Sequence, residues 1–207
     1  MASIIRAWLA VLAAVVASGC VAGQSLETAY EAPAPGPAPA ATAAGAGSVL
    51  IAVTDDRAFV KSGEKPPSYL GKYRAGFGNP WDVKTENEQP LADLLARDLA
   101  IDVAALGFRV ASAAPADRKL TVSIRDWNFD GYQNGRLWYD LGVAVADAAG
   151  AELATGQVRD EKEIKGTFMM GARGGFERDM PKIYQEVIRS AVRDNPEILA
   201  ALAPPAR

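Results

Sequence analysis

Lys119-Leu120-Thr121-Val122-Ser123-Ile124-Arg125 is the stretch from which the fold of this chain can be read. Leu120, Val122 and Ile124 face one way while Lys119, Thr121, Ser123 and Arg125 face the other, the period-two pattern of a half-buried strand. Asp130-Gly131 and Asn134-Gly135 mark the turn that follows. The returning strand carries Leu137, Tyr139, Leu141, Val143 and Val145 on one side, and Ala149-Gly150 turns the chain again. The next strand is crowded with charge at Arg159-Asp160-Glu161-Lys162-Glu163, as suits an exposed edge guarded against aggregation. Trp127, Phe129 and Trp138 fall on the phase opposite Leu137 and Leu141. They form either an apolar patch on the open sheet face or, the preferred reading, a cluster covered by a loop or an edge strand.

Upstream, Val49-Leu50-Ile51-Ala52-Val53 reads as a central strand buried on both faces. Pro90 opens a helix whose Leu91, Leu94, Leu95, Leu99, Val103 and Leu106 recur at helical spacing, with Asp93 and Arg97 paired outside and Gly107 as its stop. Phe108-Arg109-Val110 begins a short strand. Downstream, a glycine-rich connector from Gly166 to Gly175 leads into a second long helix. Its stripe is Met180, Ile183, Tyr184, Val187, Ile188, Ala191 and Val192, with Pro181 in its first turn. Asp194-Asn195-Pro196 stops that helix and caps a short terminal one carrying Ile198, Leu199 and Leu202.

The expected fold is therefore α+β, in the order β-α-β-β-β-β-α. It is a two-layer sandwich with a largely antiparallel sheet of about five strands and two long helices on one face. Residues 48–207 form one domain, with a long irregular loop over 56–89 punctuated by Gly63, Pro66, Pro67, Gly71, Gly76, Gly78 and Pro80.

Composition narrows the chemistry. The chain contains no histidine, which removes the commonest general base and metal ligand and any Ser-His or Cys-His pair. Net charge is −3 and no basic block occurs, so nothing draws the chain generally to nucleic acid. Asp55, Asp56, Asp126 and Asp130 invite a carboxylate-hydrolase reading, but strand-end and turn aspartates usually serve local hydrogen bonds. The expectation is a protein that is not an enzyme and holds neither metal nor cofactor.

The single cysteine, Cys20, closes a short apolar segment after Ala17-Ser18-Gly19. The uncharged run from Ala7 to Gly19 has the length of a signal-peptide core and is too short to cross about 30 Å of hydrocarbon. A signal ending in small residues before a lone cysteine resembles the bacterial lipoprotein signal. That resemblance implies cleavage of residues 1–19 and a lipidated Cys20, palmitate among its acyl chains. Residues 20–47 then read as a disordered Ala/Pro-rich tether that would reach about 80 Å in polyproline geometry.

The domain resembles the YajG-like envelope lipoproteins in the signal ending at Cys20, the strand Val49–Val53, the helix closing in Leu106-Gly107-Phe108, and the Leu120-Thr121-Val122 strand. Two more strands ending near Gly166 and a final amphipathic helix complete the likeness. Auxiliary lipoproteins of lipid-trafficking ABC transporters and the N-terminal domain of TolB-like proteins have similar topologies. What the resemblance implies is a fold and an address, the outer membrane facing the periplasm. The function expected is binding of a protein or glycan partner, with auxiliary lipid or lipopolysaccharide transport and, less so, cell-wall glycan hydrolysis as rivals. The segment Lys61–Trp81 supplies the candidate recognition residues Tyr69, Lys72, Tyr73, Arg74, Phe77 and Trp81, because aromatic plus basic side chains suit a partner, a glycan or anionic headgroups; the alternative is that its aromatics, Trp81 above all, pack the segment back onto the domain.

Overall fold

The computed structural model describes residues 24–26, 47–74 and 80–203. Its strands are β1 (Gln24–Leu26), β2 (Ser48–Asp55), β3 (Tyr69–Arg74), β4 (Pro80–Thr85), β5 (Arg109–Ala111), β6 (Arg118–Gly131), β7 (Gly135–Asp147) and β8 (Glu152–Ile164). Its α-helices are α1 (Ala58–Lys61), α2 (Leu91–Ala105), α3 (Gly171–Ala191) and α4 (Pro196–Leu202). All strands join one sheet, and α2 and α3 cover the same face, where the Tyr184 hydroxyl of α3 donates to the Asp98 carboxylate of α2 at 2.9 Å. This is the expected α+β arrangement of two layers. The five expected strands are β2, β5, β6, β7 and β8.

Strand β6 is the spine. It pairs antiparallel with β7 along its length, and β7 pairs antiparallel with the charged edge strand β8. The other edge of β6 is shared. Its first half lies parallel to β2, from Val49 beside Arg118 to Asp55 beside Ile124. Its last residues lie parallel to β3, from Gly71 beside Phe129 to Tyr73 beside Gly131. The sheet is thus more mixed than expected, because the crossover through α2 returns the chain in the direction of β2. Leu50, Ile51, Ala52 and Val53 are all only half-buried, so β2 is not the doubly buried strand expected from its apolar run.

A bulge between Ile124 and Asp126 inserts Arg125 and reverses the side-chain phase of β6. Trp127 and Phe129 therefore join Leu120, Val122 and Ile124 beneath the helices at 0% exposure, and only Trp138 remains on the open face. Trp127 meets Tyr184 edge-on at 6.1 Å and Phe129 meets Phe176 at 4.7 Å. The period-two reading placed both rings on the wrong face because one extra residue inverts everything after it.

The segment 56–89, expected as an irregular loop, holds α1 and the β3–β4 hairpin. Part of the expected tether is ordered as well, since Gln24–Leu26 lies parallel to β4. Helix α3 begins among the glycines, so Pro181 lies inside it rather than in its first turn. Asp98 and Asp102 are buried in the seam between α2 and the end of α3, where Arg97 pairs with Asp98 at 2.7 Å and Arg193 with Asp102 at 2.9 Å. Asn195 caps α4 by accepting from the Ile198 amide at 3.2 Å.

Where the edge of β6 passes from β2 to β3, Arg57 fills the gap at 0% exposure. Its guanidinium donates to both Asp55 carboxylate oxygens, at 2.8 and 2.6 Å, to the Pro67 carbonyl at 2.9 Å and to the Tyr69 carbonyl. Removing one partner of such a cluster strands a buried carboxylate and two carbonyls. Arg57→Ala is expected to lower the unfolding free energy by about 3–5 kcal/mol in urea titration. Arg136→Ala, which breaks the exposed pair with Glu161, should cost about 1 kcal/mol at most.

Candidate functional site

The expected recognition residues divide once the hairpin forms. Tyr69 is 5% exposed, stacked edge-on against Phe59 at 5.4 Å with the Lys65 ammonium 4.7 Å from its ring centre. Burial, helped by nearby carboxylates of Asp82 and Asp130, pushes its hydroxyl up to about 12. It is a packing residue and not an accessible contact. Lys72 and Arg74 project from the outer face onto one carboxylate: Arg74 holds Asp130 through two bonds of 2.6 and 3.1 Å, and Lys72 lies 3.6 Å away. Tyr73, on the other side of the strand, is half-buried against the core and sits in register with half-buried Trp81. Phe77 and Cys20 lie outside the described residues. The glycines that argued against regular structure exclude a helix but not a strand. Gly71, at φ 145°, lets β3 come so close to Phe129 that a Cβ would strike the β6 backbone.

Three of the four aspartates weighed for hydrolysis are ion-paired. Asp55 is held by Arg57, Asp56 by Lys61 at 2.6 Å, and Asp130 by Arg74 and Lys72. Asp126 sits in register with Asp140 on the open face, and burial raises its carboxyl against the opposing pull of the Trp127 amide and of Arg57. Among the described residues, no group of three or more acidic or thiol side chains is placed to hold a metal ion, and no helix is long and apolar enough to cross a membrane.

What the structure does bring together is a surface at the end of the sheet where β6 turns into β7. Tyr73 and Arg74 of β3, Tyr132 and Gln133 of the β6–β7 turn, and Met169, Met170 and Arg173 of the β8–α3 junction surround a cleft of about 440 Å³. Beside it Phe168 is 105% exposed and Met169 90%, with Met170 and Tyr132 also exposed. The junction is not the flexible connector expected from its glycines. Thr167 and Gly171 exchange two backbone hydrogen bonds of 2.9 and 2.8 Å, closing the loop on itself. The Ala172 amide donates to the Tyr132 carbonyl at 3.0 Å, and the Gly166 amide to the Asn134 side chain at 3.0 Å. Gly166 and Gly175 allow this closeness: a Cβ on the first would collide with the Gln133 carbonyl, on the second with that of Lys165. The loop is held as a knob, with Phe168 and Met169 standing in solvent and Met170 about half-exposed at the edge of the cleft.

Sequence reasoning missed this knob. The available signal was the uninterrupted triplet Phe168-Met169-Met170 between two glycines, apolar residues with no periodicity to assign them to a buried face.

No family model matches the chain, and no curated protein matches it in sequence. Among solved structures it is similar to a Xanthomonas campestris protein of the DUF330 family, at 14% identity and a TM-score of 0.52, covering 80% of this chain and 91% of that one. Lower similarity extends to the uncharacterized lipoprotein B of Nitrosomonas europaea, at 12% identity and a TM-score of 0.38 over 75% of this chain and 79% of that one. A putative lipoprotein from Caulobacter crescentus shows 17% identity and a TM-score of 0.28 over 54% and 71% of the respective chains. The chain shares its fold with a DUF330 protein, and lipoproteins stand among its more distant structural neighbours.

Burial separates the two kinds of aromatic and apolar residue here. Tyr69→Ala is expected to cost about 3–5 kcal/mol in chemical denaturation, as for other large buried rings. Met169→Ser should stay within about 0.5 kcal/mol, because the side chain stands in solvent.

Proposed function

We propose that this chain is a non-catalytic, lipid-anchored protein of the bacterial envelope, related to the YajG-like lipoproteins. It is held at the outer membrane by Cys20, faces the periplasm, and works by binding a protein or another envelope component through the end of the sheet around Tyr73, Arg74, Tyr132 and the 168–170 knob. The observation that carries the binding role is the knob itself. Three consecutive large apolar side chains held out toward water by a hydrogen-bonded loop are the mark of a contact surface. Support for the address comes from the signal-like segment ending at Cys20. The ion-paired state of Asp55, Asp56 and Asp130 speaks against the hydrolase rival, since paired carboxylates are poor general acids and bases.

Two measurements on cells test this. Metabolic labelling with a fatty-acid probe should mark the wild-type protein and leave Cys20→Ala unmarked; equal labelling would remove the anchor. A photo-crosslinking residue at position 169 should give a discrete adduct with an envelope component that the same residue at position 149, at the far end of the sheet, does not give. Identical adduct patterns from both positions would remove the binding role of this surface.

A further inference from the structure

Strand β1 determines where the N-terminal segment meets the domain. It runs parallel to β4, with Gln24 beside Val83 and Leu26 beside Thr85. Strand β4 runs against β3, and β3 runs with β6, so that Val83, Gly71 and Phe129 share one level. The chain therefore enters β1 from the side on which β6 ends at Gly131 and on which Arg74 pairs with Pro80. Cys20 precedes Gln24 by four peptide steps, a reach of about 14 Å at most. Two strand spacings, about 10 Å, separate β1 from β3. By contrast β6 runs about 45 Å from Gly131 to its other end, beyond which lies the Ala149-Gly150 turn. A lipid on Cys20 thus holds one end of the sheet near the bilayer and leaves the other far from it.

The end held near the bilayer is the end that carries the knob. Tyr73 and Arg74 of β3 line the same cleft as Met169 and Met170. Phe168 is 105% exposed, standing wholly in solvent beside that cleft. The two cations lining the cleft are ion-paired, Arg74 with Asp130 and Arg173 with Glu177, so at the cleft itself apolar insertion is the main attraction on offer.

We propose that the Phe168–Met170 knob is a membrane-docking element that enters the leaflet carrying the Cys20 lipid, with Tyr132 at headgroup level. This rests on the anchored reading of Cys20. The acyl chains supply the attachment; the knob adds a second, weaker contact that fixes orientation, with the long axis of the sheet pointing away from the membrane and the β7–β8 turn distal.

The test uses the full lipidated protein reconstituted into phosphatidylethanolamine–phosphatidylglycerol vesicles. Because lipid occupies the sulfur of Cys20, Met169→Cys introduces the sole free thiol for a nitrobenzoxadiazole fluorophore, and Ala149→Cys does the same at the far end. Spin-labelled lipids that quench at the headgroup–acyl boundary should remove about half of the emission at 169, for a depth of about 5–10 Å, and none at 149. Phe168→Ser with Met170→Ser on the 169-labelled chain should restore the emission while leaving the melting curve unchanged. The mass of the N-terminal peptide is read first. A chain without acyl groups overturns the anchor and the docking together. An acylated chain whose 169 label is unquenched overturns the docking alone, as does equal quenching at both positions. Crosslinks from position 169 in cells that reach only protein would assign the knob to a protein partner and overturn it likewise.

Discussion

Much of this structure depends on one shared edge. The upper and lower halves of β6 have different neighbours on the side away from β7, because neither β2 nor β3 is long enough to cover the whole strand. A sheet cannot leave such a break empty, since the carbonyls bordering it would be buried without donors. Arg57 resolves this by carrying several donors in a planar fork into the gap and placing its charge on Asp55. With the break sealed, the segment after β2 becomes sheet rather than loop. The hairpin it forms then offers β4 as an edge on which Gln24–Leu26 can pair.

That sequence of dependencies connects the interior of the protein to its surface. The hairpin brings Tyr73 and Arg74 to the same end of the sheet as the β6–β7 turn, and the turn in turn holds the loop between β8 and α3. Glycines at 166 and 175 allow backbone to meet backbone there, so the loop is locked and its side chains are directed outward. Asp130 meanwhile holds Arg74 through two bonds and draws Lys72 to 3.6 Å, offsetting part of the charge expected for recognition. The surface that results is more apolar and less basic than its composition indicates.

The opposite, uncovered face of the sheet has another character. Arg125, displaced outward by the bulge, lies over Gly142, where a side chain would leave it no room. Asp126, Asn128 and Asp130 share this face with Trp138 and Asp140. Its polar and small residues explain how β6 and β7 remain single-sided despite their length.

Local sequence signals by themselves determined the two helices, the strands β2 and β5 to β8, the charged edge at Arg159–Glu163 and the cap at Asn195. Each of these is a pattern of neighbours in sequence that a local backbone geometry turns directly into burial. Tertiary structure decided the rest. Nothing local marks Arg125 as the bulged residue, yet that one insertion puts Trp127 and Phe129 on the same face as Leu120, Val122 and Ile124, in the core, rather than on the opposite phase. Tyr69 reads as a binding residue because its aromatic and basic neighbours are the same in a loop as in a strand; only its pairing with β4 and its contact with Phe59 of α1 bury it. The knob at Phe168–Met170 was hidden for the converse reason. Glycines read as freedom in sequence, whereas here they permit the close contacts that hold three apolar side chains out in solvent.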